Sequence, residues 1–320
     1  MIEMMSRETA AGGGRPEAGH RTDRIGRGNE PLPVLTTASH SHGRSDRATA
    51  RSAAARLISA FICVSCGFPG APVELRAAEL KPETVAAFNR YVQLTEARIS
   101  AEQQEGQPFL HGVLDLATLR KGELSIQRLQ TREKGREIDI PDGIVHHWVG
   151  TVFVPGATVD RAVALLQDYN HHADIYAPNV ARSKVLSRSG DTFRVYLRFF
   201  MKQVLTVVVN SEHEARFERP RPDRAASRVA STRIAEVENP GTPQEKEKPV
   251  GNDGGYLWRL NSYWRFLEKD GGTYIQCESI SLTRGIPAGF GWLIGPYVSG
   301  IPRETLTFTL QTTRRTLAKS

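Results

Sequence analysis

At 320 residues, 39% hydrophobic and 24% charged, the chain has the make-up of an ordinary soluble globular protein of one large domain or two modest ones. Its formal charge of +7 is not gathered into a basic stripe interleaved with stacking aromatics, which excludes a nucleic-acid footprint. Three cysteines, Cys63, Cys66 and Cys277, sit at no spacing that resembles a zinc site, so neither a metal nor a cofactor is expected.

Residues 1–56 read as a leader with nothing to bury: Gly12-Gly13-Gly14, nine Arg against six Asp or Glu, and few large apolar side chains. Residues 57–78 resemble a secretory signal peptide. Arg51 and Arg56 stand before an apolar run from Leu57 to Phe68, and small residues lead to Ala77-Ala78. That run is too short to cross a bilayer, which takes roughly 20 residues. The expectation is an exported protein, periplasmic or envelope-associated, with the cytoplasm as the alternative.

Residues 79–140 read as an accessory segment. Pro82 opens a helix whose face is Val85, Phe88, Val92 and Ile99, running to about Gln104. Leu124–Leu129 suits a strand, with a turn near Lys134-Gly135.

The main domain, 141–320, begins after the turn Pro141-Asp142-Gly143. Ile144–Val154 alternates as a strand, and Thr158 caps a helix with Val159, Ala162, Val163, Leu166 and Tyr169 on its inner face. Asn170–Asn179 reads as a loop. Strands follow at about Ala181–Arg188, Phe193–Met201, Leu205–His213, Ser227–Val237, Tyr256–Leu267 and Thr273–Thr283, the last two joined at Asp270-Gly271-Gly272. Asn239–Gly255 reads as a long loop too polar to pack. A helix of about 25 Å starts at Pro302 and Glu304, with Leu306, Leu310, Thr313 and Leu317 along one face.

This order, a strand, a helix, an antiparallel meander and a closing helix, can curl into a grip around the last helix. Its inner wall comes from Phe193, Val195, Leu197, Phe199, Val207 and Val209, with Leu260, Ile280, Leu306 and Leu310, and suits an apolar ligand. The stretch Phe290–Val298, with Trp292 and Tyr297 among glycines, is placed as a gate or a transient membrane contact.

The polar residues say less about chemistry. His146 and His147 point to opposite faces of a strand and cannot share an ion, and His171-His172 reads as structural or exposed. His213 falls on the face of Val207, Val209 and Ser211, where it either binds a carbonyl, acts as acid or base, or serves the core. Arg194, Arg198, Arg233, Arg259, Arg265 and Glu278 are placed mostly on a wet convex face; any that turn inward need a partner. Trp258 and Trp264 read as packing residues on one strand face. The glycines Gly289, Gly291 and Gly295 lack the spacing of a dinucleotide fingerprint, and no Ser–His–Asp order can be argued.

Four pieces of this pattern together resemble the START-like superfamily (polyketide cyclase/dehydrase and lipid-transport proteins). They are Phe153-Val154-Pro155-Gly156-Ala157-Thr158, Asp168-Tyr169-Asn170-His171, the strand pair through Lys202 and Val204, and Ile301-Pro302-Arg303-Glu304-Thr305-Leu306. The resemblance covers about Ile144–Leu317 and implies an α+β helix-grip: a curved antiparallel sheet around a long C-terminal helix, enclosing a hydrophobic cavity. Members include lipid carriers, quinone-binding proteins and aromatase or cyclase enzymes, so the fold does not choose a function. Three readings stand: carriage of a hydrophobic small molecule (lipid, isoprenoid or polyketide-like), a cyclase or dehydratase using His213, and an envelope partner-binding module.

Overall fold

The computed structural model describes residues 78–202, 206–285 and 291–319, the side chains of Lys202 and of residues 291–299 excepted. The leader, the signal-like segment up to Ala77, Val204, Phe290 and the Trp292 side chain lie outside the described residues.

In chain order, β1 (Ala78–Glu79) leads into α1 (Pro82–Glu102), with Pro at the helix start. The buried face of α1 is Thr84, Phe88, Tyr91, Val92, Thr95 and Ile99, wider than the apolar spacing predicts. Its hydroxyls can go inside because each finds a partner: Thr84 Oγ1 donates to Pro141 O and Thr95 Oγ1 to Tyr91 O. The short α2 (Leu116–Arg120) is capped by Asp115, and β2 (Ser125–Arg128), β3 (Arg132–Glu133) and β4 (Arg136–Glu137) complete this segment.

Next come β5 (Gly143–Pro155) and α3 (Val159–Gln167), where the Arg161 and Val159 amides donate to Thr158 Oγ1 and Glu268 Oε2. The expected loop at 170–179 instead contains a 3₁₀ turn, Tyr169–His171, and α4 (His172–Ile175). The meander is β6 (Val180–Ser189), β7 (Thr192–Lys202), β8 (Thr206–Arg221) and β9 (Arg224–Glu238). The short β10 (Lys246–Glu247) and β11 (Asn252–Asp253) precede β12 (Arg259–Lys269) and β13 (Gly272–Arg284). Asp270 and Gly271, both at positive φ, form the two-residue hairpin turn between the last two. The chain's long closing helix, α5 (Gly291–Lys319), starts well before Pro302 and is about 43 Å long.

Among the described residues, nine strands make an open antiparallel sheet in the order β2-β5-β13-β12-β9-β8-β7-β6, with β10 paired to β9. On its concave face α5, α3 and α4 pack into one core. Leu306, Leu310 and Leu317 of α5 join Val152, Trp264, Phe266, Ile275, Cys277, Val195, Leu197 and Phe217 there. Gly150 of β5 lets α5 come this close, since a Cβ there would run into Leu310 Cδ1 and Ile126 Cδ1.

The convex face is not wet. Helix α1 covers it over β5, β13 and β12, where Phe88, Tyr91, Val92 and Ile99 pack on Tyr263, Ile280, Leu282 and Trp258. Arg265 and Glu278, each 1% exposed, therefore lie under a helix. Over β7, β8 and β9 the same face carries the 239–255 segment, which packs after all. Glu245 takes both guanidinium nitrogens of Arg198 (2.7 and 2.8 Å) and Glu247 bonds Asn210 and Arg233, while on the concave side of the same edge Lys248 bonds Glu236, which opposes Val209. Trp258 and Trp264 fall in opposite clusters rather than on one face.

Candidate functional site

Strand register places a line of facing residues across the concave side: His146 on β5, Ser281 on β13, Leu260 on β12, Ser231 on β9, His213 on β8 and Val195 on β7. His146 opposes Ser281, Ser281 opposes Leu260, and His213 opposes both Ser231 and Val195. The Leu260 amide joins the middle of the line by donating to Ser231 Oγ at 2.9 Å. A bulge in the β8–β9 pairing, where Glu212 opposes Arg233 but His213 opposes Ser231, sits beside the histidine. Bulges of this kind re-aim side chains at a sheet's working face.

Most of the sequence-predicted wall stands on this face. Phe193, Val195 and Leu197 are buried in the concave core, Phe199 packs against it, and Val207 and Val209 oppose Met201 and Phe199. Leu306 and Leu310 come down from α5. Ile280 does not belong: it opposes Asn261, points to the convex side and packs beneath α1. A residue paired with an odd-numbered neighbour of Leu260 must face away from Leu260, because strand side chains alternate. The Trp292 side chain lies outside the described residues.

The concave face is unevenly filled. At one end, Trp264, Phe266, Ile275 and Cys277 are buried beneath the α5 leucines. Further along the same central strands, Leu260, Ser262 and Ser279 are partly exposed, although these strands have neighbours on both sides. These central-strand positions of the concave face, unlike those at the other end, keep partial exposure. This end lies toward Arg284, which ends β13 opposite Gly143, and α5 begins at Gly291.

His213 is 2% exposed, and burial pushes its imidazole down to about 4, so the ring is neutral at neutral pH. Its tautomer follows from its neighbours. Ser211 Oγ donates to Leu197 O at 2.9 Å and so accepts from His213 Nε2, also at 2.9 Å. The proton sits on Nε2, and Nδ1 is left as a buried acceptor with no partner. The Phe199 ring meets the imidazole edge-on, with centroids 6.0 Å apart. At the far end of the line His146 is also held neutral by burial, down to about 4, with Nε2 bonded to Thr283 Oγ1 at 3.1 Å.

Three other histidines stand apart from this line. His147 faces the convex cluster, His172 lies between the Tyr169 and Tyr176 rings, and His171 is exposed beside Asp168. Among the described residues no group of three or more His, Cys, Asp or Glu is placed to hold a metal ion. Two open grooves lie elsewhere. One of about 430 Å³ runs between Leu80, Val85, Val250 and Arg259, and one of about 370 Å³ lies at Gly156 and Gly272. Neither touches the His213 line.

A sheet of this order gripping its own C-terminal helix has a name. The chain has a helix-grip fold. No family model and no curated protein matches it. Among solved structures it is similar to human STARD10 (10% identity over 76% of this chain and 84% of that one, TM-score 0.40). It is similar to a STAR-related lipid transfer protein from Xanthomonas axonopodis (19%, 56% and 95%, 0.38). A third is the Zhui aromatase/cyclase from a Streptomyces species (14%, 54% and 94%, 0.36). At these scores the likeness adds nothing to what the strand order and the terminal helix already say.

Proposed function

We propose that this protein binds or carries a hydrophobic small molecule, of lipid, isoprenoid or polyketide-like type, between its sheet and α5. The observation that carries this reading is the partial exposure of Leu260, Ser262 and Ser279 on central strands, on the face lined by Phe199, Val195, Leu197 and His213. Removing an apolar ligand from water onto such walls contributes roughly 25 cal/mol per Å² buried, opposed by the cost of fixing the ligand.

Carriage is favoured over a cyclase or dehydratase reaction because the His213 ring is oriented by a serine, not a carboxylate. That serine's proton is committed to a backbone carbonyl. Contact of the 290–298 stretch with a membrane, and export through residues 57–78, belong to the same reading and rest on sequence pattern.

Native mass spectrometry of the protein purified under mild conditions tests it. A bound apolar molecule, released on denaturation, is expected. A protein that travels empty and takes up no lipid from phosphatidylcholine vesicles would overturn the reading.

A further inference from the structure

The His213 line contains an unmet demand. Nε2 is spent on Ser211, and Ser211 is spent on Leu197 O, so the ring cannot flip its proton to Nδ1 without breaking a two-bond chain. Nδ1 is then an acceptor, shielded from water and unpartnered. A buried acceptor left this way costs free energy until some donor reaches it. The hydroxyl of Ser231, directly opposite on β9, accepts from the Leu260 amide and makes no hydrogen bond to Nδ1.

The charge around the line narrows the donor further. His146, Ser281, Leu260, Ser231, His213 and Val195 include no Lys or Arg. The strand cations Arg198 and Arg265 are on the other face, each already paired with a glutamate. Of the cations on this face among the described residues, Arg128 stands near His146 at the far end and Lys248 is already paired with Glu236, so a carboxylate or phosphate at Nδ1 would meet no countercharge from the line itself. His146 cannot serve the same group: it lies four strand spacings away, about 19 Å, and bonds Thr283.

We infer that the ligand is a neutral, largely apolar molecule carrying a hydroxyl, alcohol or phenol, whose O–H donates to His213 Nδ1 at the inner end of the hollow. This rests on the proposed function and sharpens it: the apolar body supplies affinity, and the single hydroxyl sets orientation and selects against hydrocarbons, ethers and free acids.

A matched pair of fluorescent probes, 2-naphthol and 2-methoxynaphthalene, separates the two ideas, since they differ in one donor. For the intact chain, 2-naphthol should bind roughly ten-fold more tightly than its ether. In His213→Phe that ratio should fall to about one while ether binding persists. Should the variant fail to fold, ¹⁵N-histidine spectra of the unaltered protein read the same contact. The unprotonated Nδ1 signal should move upfield on adding 2-naphthol and stay still with the ether. Equal affinities for both probes, or an Nδ1 signal indifferent to 2-naphthol, overturn the hydroxyl inference and leave apolar binding standing. Failure of both probes to bind overturns the apolar hollow itself, and this inference with it.

Discussion

His147 Nε2 donates to Glu278 Oε1 across 2.7 Å at a point where the two side chains are 2% and 1% exposed. The bond belongs to a relay that pins α1 to the sheet. The Thr131 amide donates to Tyr91 OH, Tyr91 OH donates to His147 Nδ1 at 2.9 Å, and the remaining imidazole proton goes to Glu278. Arg98 of α1 also reaches Glu278 Oε1, and Arg265 stands 3.8 Å from its other oxygen. Burial opposes ionisation of Glu278, but His147 and the two guanidiniums outweigh it and hold the carboxyl below its usual range.

Breaking this cluster from the centre should therefore be costly. Glu278→Leu leaves Arg98 and the His147 N–H without their common acceptor, takes a countercharge from beside Arg265, and should lose about 3–5 kcal/mol. Arg98→Ala, at a side chain 30% exposed, should lose far less. Urea unfolding of the three proteins, with similar slopes, checks the order. A Glu278→Leu protein as stable as the parent would mean the relay is ornamental.

The second prediction concerns how closely α5 lies on β5. Gly150→Ala places a methyl against Leu310 Cδ1 and Ile126 Cδ1, with Leu306 Cδ2 at 3.4 Å. Both blocking groups are side-chain ends, so they can turn, but the surrounding core is filled. Overpacking of this kind costs about 1–3 kcal/mol. The thermal midpoint should fall, and hydrogen exchange should rise in the Leu306–Leu310 turns rather than in α1. Uniform exchange would place the strain elsewhere.

A third follows from the 239–255 segment. Arg198 is 6% exposed and its carboxylate partner Glu245 comes entirely from that segment. Glu245→Gln should release the segment and leave a guanidinium in a half-closed site. Limited proteolysis should then cut between Asn239 and Gly255 markedly faster, with the sheet intact. An unchanged digestion rate would show that Glu247 and Lys248 hold the segment alone.

Much of this was legible in the sequence, and the misses share a cause. Alternation from Phe193 to Phe199 correctly puts four side chains on one face, and Asp270-Gly271 correctly marks a hairpin. Alternation within a strand says nothing about register against its neighbour, so Leu260 and Ile280 read as one wall although Ile280 opposes Asn261. Composition misjudged the 239–255 loop, because a glutamate is as polar when it caps a buried arginine as when it faces water. Tyr91 and Thr95 fall outside the apolar face that spacing gives α1, because a hydroxyl counts as outside until its partner is known. His213's face could be read; its unpartnered nitrogen could not, since that depends on Ser211 bonding across to Leu197.

The last prediction is a pH dependence. His213, His146 and His172 are all held neutral by burial, each down to about 4 from an ordinary 6.5. Between those values the unfolded chain binds protons that the folded one refuses. Stability therefore rises with pH through this window, is fully present above 6.5, and is lost as pH falls toward 4. For His213 the loss is on the order of 3 kcal/mol. Carboxylates add to acid unfolding at lower pH, beginning near 4.5, as Glu102, held down to about 2 by His111 and Arg98 against its own burial, takes up its proton. The His213 share can be isolated by comparing urea midpoints of the parent and His213→Phe from pH 8 to pH 4. The parent's advantage, or deficit, should be constant above 6.5 and shift toward the variant by that amount on acidification. Two curves that stay parallel down to pH 4 would mean the imidazole is solvated and free to charge, and the reading of a shielded, neutral His213 would fall.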